Sequence, residues 1–439
     1  MDETPAKPAP AHTSADLLEF LYRLGQGYLA CGEQTAQVEL QLRRIALSYG
    51  ARRVRVVAFP TALFITMHDG EQERVTLAEG PLQGLRLDQM ADIYTLGADA
   101  QEGRVSVADG LKRLTDINRS VARFGLVGGV LGHMVLSVGI AMVLNPTVEN
   151  LIVAGSLGML VGVIKSMNRG RGVLSVPISV VMSTFVSACV FLLDRYGVPI
   201  DPVQALIPPL VTFLPGGMLT FGMIELAYGD MVSGASRLIS GFVQLFLLAF
   251  GIAAGATLTG VTLGGPPATE VHLGSMLLAP WLGAMIFGVG VSLHFSAPRN
   301  ALPWMLLVLL LAFSAQRAAA TVIGDQFSGF FGTLVATPLV YLIQLRFNGP
   351  PPMVTFLASF WLLVPGSLGL LSVKSLLSDY ERGIEGMITV VFVIVSIALG
   401  TLLGASLYKW LSERLGSWRL QIGRAERRTA RAPKKPDGG

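Results

Sequence analysis

Charge is scarce in this chain of 439 residues: Asp, Glu, Lys and Arg make up only 14% of it, against roughly 25% in an ordinary soluble domain. A protein of this length wetted on all sides is therefore not expected. Cysteine is nearly absent. Cys31 and Cys189 are the two present, they fall in different segments, and neither a structural disulfide nor a zinc spacing is expected from them. The first fifteen residues are rich in Pro and Ala and lack the charged-then-apolar pattern of an export signal. The N-terminal part is accordingly expected to stay in the cytosol. Catalytic motifs are missing too. Asp16, His68, Asp69 and Asp92 are scattered, with no nucleophile elbow, phosphate loop or metal motif around them. His68 beside Asp69 reads as a solvated turn. No enzyme activity, metal or cofactor is expected.

What is abundant is apolar sequence, and it is unevenly placed. Residues 1–15 read as a disordered leader and residues 16–123 as a small soluble α/β domain. In that domain Leu17, Leu18, Phe20, Leu21 and Leu24 have helical spacing, and a second amphipathic helix runs from Glu33 to Ser48. Val54–Phe59 and Leu63–Met67 alternate as strands, Arg74–Leu77 is a third, and two helices occupy 88–118. Residues 124–411 are almost continuously apolar and rich in Gly, which lets membrane helices approach closely.

A spanning helix takes about 20 apolar residues. Ten candidates are found, at 125–144, 149–165, 173–193, 203–220, 233–256, 273–295, 302–321, 327–346, 353–371 and 386–410. Lys112, Arg113, Arg119 and Arg123 precede the first, Lys165, Arg169 and Arg171 follow the second, and a basic tail occupies 412–439. Loops 145–148, 257–272 and 322–326 carry no Lys or Arg. Both termini are therefore expected in the cytoplasm, with the tail resting on anionic lipid rather than on nucleic acid.

Shifting the chain by 150 residues lays the second membrane half, 259–411, on the first, 124–258, and brings Pro365-Gly366 onto Pro215-Gly216. Five helices per half is an odd number, so the second half would enter from the opposite side, as in transporters built from inverted repeats. Pro inside a helix removes a hydrogen bond and clashes with the preceding turn. In lipid the freed groups are tolerated only where buried in protein or lining a wet cavity. Two matched breaks point to a midplane site, where half-helix N-termini suit a carboxylate and freed carbonyls an ammonium group. Thr212, Thr220 and Ser367 offer hydroxyls there, either to a polar substrate or to nearby backbone groups. A simple packing kink is the competing reading of each break.

The run Leu206-Ile207-Pro208-Pro209-Leu210 through Leu214-Pro215-Gly216-Gly217-Met218-Leu219-Thr220, then Glu225-Leu226 and Gly229-Asp230-Met231-Val232-Ser233-Gly234, resembles the fourth-helix signature of the threonine/serine exporter family. Gly32-Glu33-Gln34-Thr35, Val38-Glu39, Pro298-Arg299 and Val364-Pro365-Gly366 are similar to it as well. The resemblance implies a ten-helix carrier exporting threonine and serine on a membrane potential or proton gradient. Two rivals stand beside it: a carrier for a small dicarboxylate such as succinate, and a membrane-anchored hydrolase using the N-terminal domain.

Charges inside a membrane are costly and so are functional candidates. His133, in the first helix, suits proton carriage or neutral packing. Glu225 and Asp230 follow the first break and serve coupling or gating, unless they lie in a solvated loop. Arg317 would hold a substrate carboxylate or snorkel to the interface. The Gly128/Gly132, Gly158/Gly162, Gly251/Gly255 and Gly400/Gly404 pairs allow close packing within the chain or between subunits of a homo-oligomer.

Overall fold

A computed structural model describes residues 13–51, 53–69, 72–79, 84–144, 147–167, 175–261, 278–363 and 380–429. The N-terminal segment begins with α1 (Ser14–Ala30), whose first turn is closed by a reciprocal Thr13–Asp16 capping box. The Leu17, Phe20, Leu21 and Leu24 stripe is buried. α2 (Thr35–Ser48) follows, then an antiparallel sheet of β1 (Val54–Phe59), β2 (Ala62–Asp69) and β3 (Gln72–Glu79) in sequential order. Val56 pairs with Ile65 across the first hairpin, and Leu63, Ile65 and Met67 alternate into the same core as Leu24 and Leu42. His68 and Asp69 are not in a turn. They end β2, opposite Glu73 and Gln72, because the ladder extends to the tip of the hairpin. α3 (Leu87–Gln101) and α4 (Val107–Arg119) complete the segment, α4 starting where the Ser106 hydroxyl accepts the Asp109 N–H.

The rest is helical: α5 (Gly125–Leu144), α6 (Val148–Met167), α7 (Ser175–Arg195), α8 (Pro202–Leu210), α9 (Gly216–Ala227), α10 (Met231–Thr259), α11 (Ala279–His294), α12 (Ala301–Ile323), α13 (Asp325–Phe347), α14 (Pro352–Leu363) and α15 (Tyr380–Thr429). Among the described residues, seven helices are long and apolar enough to span a membrane, eight if α8 and α9 form one broken span. The expected span at 273–295 is represented by the shorter α11 and that at 353–371 by α14. The final helix does not stop at residue 410. It continues through the basic segment to Thr429.

α5 packs on α6 and α11, α6 on α8, and α7 on α10; α12 packs on α11, α13 and α14, and α13 on α15. Glycine makes several of these contacts backbone-close. A Cβ at Gly139 would stand 2.7 Å from the Cα of Phe287 on α11, and one at Gly162 would stand 2.9 Å from the His133 Cβ on α5. Gly251 and Gly255 face α7, and Gly400 and Gly404 face α13, so these glycine pairs serve packing inside one chain.

Candidate functional site

The site is built around the break between α8 and α9. α8 carries Pro208 and Pro209 in its interior, and a single 3-10 turn, Val211–Phe213, ends it. Leu214 is extended (ψ 129°), as expected of a residue forced out of helical geometry by the following proline. Pro215 supplies no N–H, and the chain restarts as α9 at an angle of 63°. Pro215 provides no side-chain cap to α9. The amides of Gly216, Gly217 and Met218 are first-turn donors at the positive end of a helix.

Two polar side chains meet at Thr212. The Lys165 ammonium donates to the Thr212 hydroxyl at 2.8 Å, and the His133 Nε2 lies 3.0 Å from the same oxygen. His133 Nδ1 is 2.9 Å from the Gly158 carbonyl. A carbonyl only accepts, so the neutral ring carries its proton on Nδ1. Nε2 is then an acceptor, and the Thr212 hydroxyl donates to it while receiving Lys165. The chain has one polarity: Lys165 to Thr212 to His133 to Gly158. The Lys165 ammonium also stands 4.9 Å from the Phe213 ring centroid. His294 reaches the pair from α11, its ring centroid 4.9 Å from that of His133 and its Nδ1 2.7 Å from the Gly129 carbonyl. Gln244 on α10 donates to the Ser179 hydroxyl at 2.9 Å and to the freed carbonyl of Phe213 at 3.4 Å.

Of the residues singled out in the sequence, the structure gathers Thr212, Pro215, Gly216, Gly217 and His133 at this break. Thr220 lies one turn along α9, fully buried, with its hydroxyl unpaired among the described residues. Arg317 is elsewhere: it is exposed on α12 and lines a separate open cleft with Trp281, Ser314 and Asp325. Pro365, Gly366 and Ser367 lie outside the described residues.

Glu225 does not sit in a solvated loop. It is on α9 at 1% exposure, and its carboxylate pairs with Arg237 of α10 at 3.0 Å. The Thr35 N–H, at the start of α2, donates to the same carboxylate at 3.2 Å. The Thr35 hydroxyl lies 2.9 Å from Asp230 and 3.4 Å from Glu225, and its single proton serves the nearer Asp230. Arg237 also donates to the Glu33 carbonyl at 2.9 Å. Glu225 and Asp230 therefore tie the N-terminal segment to α9 and α10, because the N-terminus of α2 abuts the α9–α10 corner.

Sequence reasoning missed Lys165, which it counted as a loop charge. The residue is in the last turn of α6, and its ammonium turns back onto Thr212 instead of leaving for water. Its place at the end of a span was the available signal, since a lysine there either snorkels or serves a site. Arg237, inside a span and likewise unflagged, carried the same signal.

Long apolar helices, one of them interrupted by a polar break, define a polytopic helical membrane protein. The ThrE family model, that of the threonine/serine exporters, matches residues 19–259, from α1 to the end of α10, and so includes the break, Lys165, Thr212, Glu225 and Arg237. The chain belongs to this family, which is a family of transporters. No curated protein and no solved structure matches it.

Proposed function

We propose that the protein exports threonine, serine or a similar small polar amino acid across the cytoplasmic membrane by alternating access around the α8–α9 break. The convergence of Lys165 and His133 on Thr212, just before α9 restarts at Gly216, carries this reading. An amino acid offers a carboxylate, which suits the Lys165 ammonium and the first-turn amides of Gly216 and Gly217. Its ammonium suits carbonyls released by the break. Pro215 and Gly217 hold the break open, and Thr220 provides a further hydroxyl one turn on.

Coupling to a proton gradient or the membrane potential follows the same chemistry. Protonation of His133 at Nε2 would make that nitrogen a donor. Thr212 would then face two donors and its hydroxyl proton would have to turn away, toward substrate. His133 is thus the coupling group in this reading, and a proton exchanged against the amino acid makes the carrier an antiporter. Glu225 and Asp230 act as gating residues through the N-terminal segment.

The architecture we infer is ten spans in two inverted repeats, with both termini cytoplasmic. Helix starts support it: α7 begins at 175 and α13 at 325, α8 at 202 and α14 at 352, α10 at 231 and α15 at 380. The packing partners correspond as well, with α5–α6, α6–α8 and α7–α10 answered by α11–α12, α12–α14 and α13–α15. Arg317 would be an outer-leaflet contact for the departing carboxylate.

The test is efflux of labelled threonine and serine from proteoliposomes under an imposed pH gradient and potential in turn, with Thr212→Val and Lys165→Met beside the wild type. Gradient-driven efflux, lost in variants that still insert, is expected. A second reading is favoured by one observation: Lys165 places a cation at the break, which also suits a small dicarboxylate. Labelled succinate is therefore the parallel arm. Succinate efflux without threonine or serine efflux would replace the amino-acid reading.

A further inference from the structure

A cavity of about 180 Å³ lies where α2 and α3 of the N-terminal segment meet α13 and α14. That is the liquid volume of about six waters, enough for a small organic solute. Thr212 does not line it, and among the described residues α9 reaches it only through Phe221. Its walls come from both parts of the chain, with Glu33 and Tyr94 on one side and Thr337 and Tyr341 on the other.

Its one charged lining group is Glu33, and no Lys, Arg or His is among its described lining residues. The Tyr94 hydroxyl donates to one Glu33 carboxylate oxygen, and the Gln34 N–H donates to the other at 3.1 Å. A carboxylate has about four acceptor positions, so roughly half remain open. The Arg237 guanidinium is bonded to the Glu33 main-chain carbonyl and paired with Glu225, and its charge acts on the Glu33 carboxylate through space. Burial pushes the Glu33 carboxyl above its ordinary range, and an ammonium group placed beside it would favour the charged form. Thr337 adds a buried hydroxyl without a partner among the described residues. Tyr94 and Tyr341 add aromatic lining, and Gln37, Gln41 and Gln344 offer amides to a polar tail.

We propose that this junction cavity is a second binding site, for a small solute bearing a primary ammonium group, with Glu33 as its counter-ion and Thr337 and the glutamine amides as its polar contacts. Glu33 also bonds through its main chain to Arg237, which holds Glu225 on α9, so occupancy on the N-terminal side acts directly on the helix that begins at the break. The site takes solute whether or not the α8–α9 break is the transport route, and it is tested by binding rather than by flux.

The experiment is equilibrium binding of labelled ethanolamine and labelled threonine to the purified full-length protein in nanodiscs. Wild type, Glu33→Gln, Gln344→Trp and Thr212→Val are compared, with thermal unfolding to confirm folding. Saturable ethanolamine binding is expected in the wild type, at least tenfold weaker in Glu33→Gln, which removes the charge, and in Gln344→Trp, which fills the cavity. Thr212→Val should bind ethanolamine as the wild type does, and N-acetylthreonine, which has no ammonium group, should not compete. Absence of saturable binding of either solute by the wild type, unchanged binding in folded Glu33→Gln and Gln344→Trp, or equal competition by N-acetylthreonine would overturn the proposal. Loss of ethanolamine binding in Thr212→Val would place that solute at the break and overturn it equally.

Discussion

Replacing Arg237 with Met should loosen the N-terminal segment from the membrane helices, and the size of the effect can be worked out. The substitution keeps most of the aliphatic stem but removes the ion pair to Glu225 at 3.0 Å and the bond to the Glu33 carbonyl at 2.9 Å. Glu225 has 1% exposure, and the Arg237 side chain has 11%, so neither charge can recover its water without the structure opening. Deleting one member of such a pair costs about 3–5 kcal/mol, because the other is left charged and buried. The Thr35 N–H to Glu225 bond is present before and after the substitution and does not change that figure. The expected loss is about 3–5 kcal/mol. Adding Glu225→Gln removes the stranded charge, so the double variant should be more stable than Arg237→Met alone by at least about 1 kcal/mol. Equilibrium unfolding in detergent–denaturant micelles measures the cycle, and amide hydrogen exchange over α2 shows where the loosening occurs. If Arg237→Met costs under about 1 kcal/mol and Glu225→Gln adds to it independently, the ion pair does not hold the junction together and the reasoning fails.

Thr212→Val keeps shape but breaks the chain between Lys165 and His133, and each lost bond is worth about 0.5–1.5 kcal/mol. Efflux in proteoliposomes should fall by roughly tenfold or more, with protein level and monodispersity unchanged; wild-type rates would refute the site. Gly139→Leu should fail to fold or unfold at markedly lower temperature, since its Cβ alone would stand 2.7 Å from the Phe287 Cα across the α5–α11 contact; a normal melting curve would contradict that packing. Glu33 predicts a pH effect of definite sign. Burial raises its folded pKa, so the folded state binds more protons than the unfolded state between the ordinary carboxylate range and that raised value. Local protection of α2 should therefore rise as pH falls through that window, and Glu33→Gln should flatten the profile. Asp99 predicts the opposite sign. Its bond to Arg104, joined by Arg113, lowers its pKa, so its contribution is present above the ordinary carboxylate value and is lost as pH falls through the lowered one. Asp99→Asn should remove that acid-side dependence in hydrogen exchange of α3 and α4.

The membrane class, most of the elements and the place of the break are legible in the order of residues alone. Each rests on chemistry confined to neighbouring residues: an uninterrupted apolar run, the alternation of Leu63, Ile65 and Met67, and a proline that forbids helix at Leu214. Family membership was legible for the same reason, since its signature is a contiguous run around Pro215. Which polar groups face each other is settled by packing. Lys165 meets Thr212 across 47 positions, His133 meets it across 79, and Thr35 meets Glu225 across 190. Those meetings depend on how each helix is rotated about its axis. A helix such as α5, apolar on every side, carries no stripe from which that rotation can be read. It is set by backbone-close contacts, as where Gly139 faces Phe287 and Gly162 faces His133, and these exist only once the helices are packed. The same reason explains why Lys165 read as a loop charge and why Glu225 stood between a gating role and a solvated loop: whether a charge at a helix end turns outward or inward is decided by the partner waiting for it.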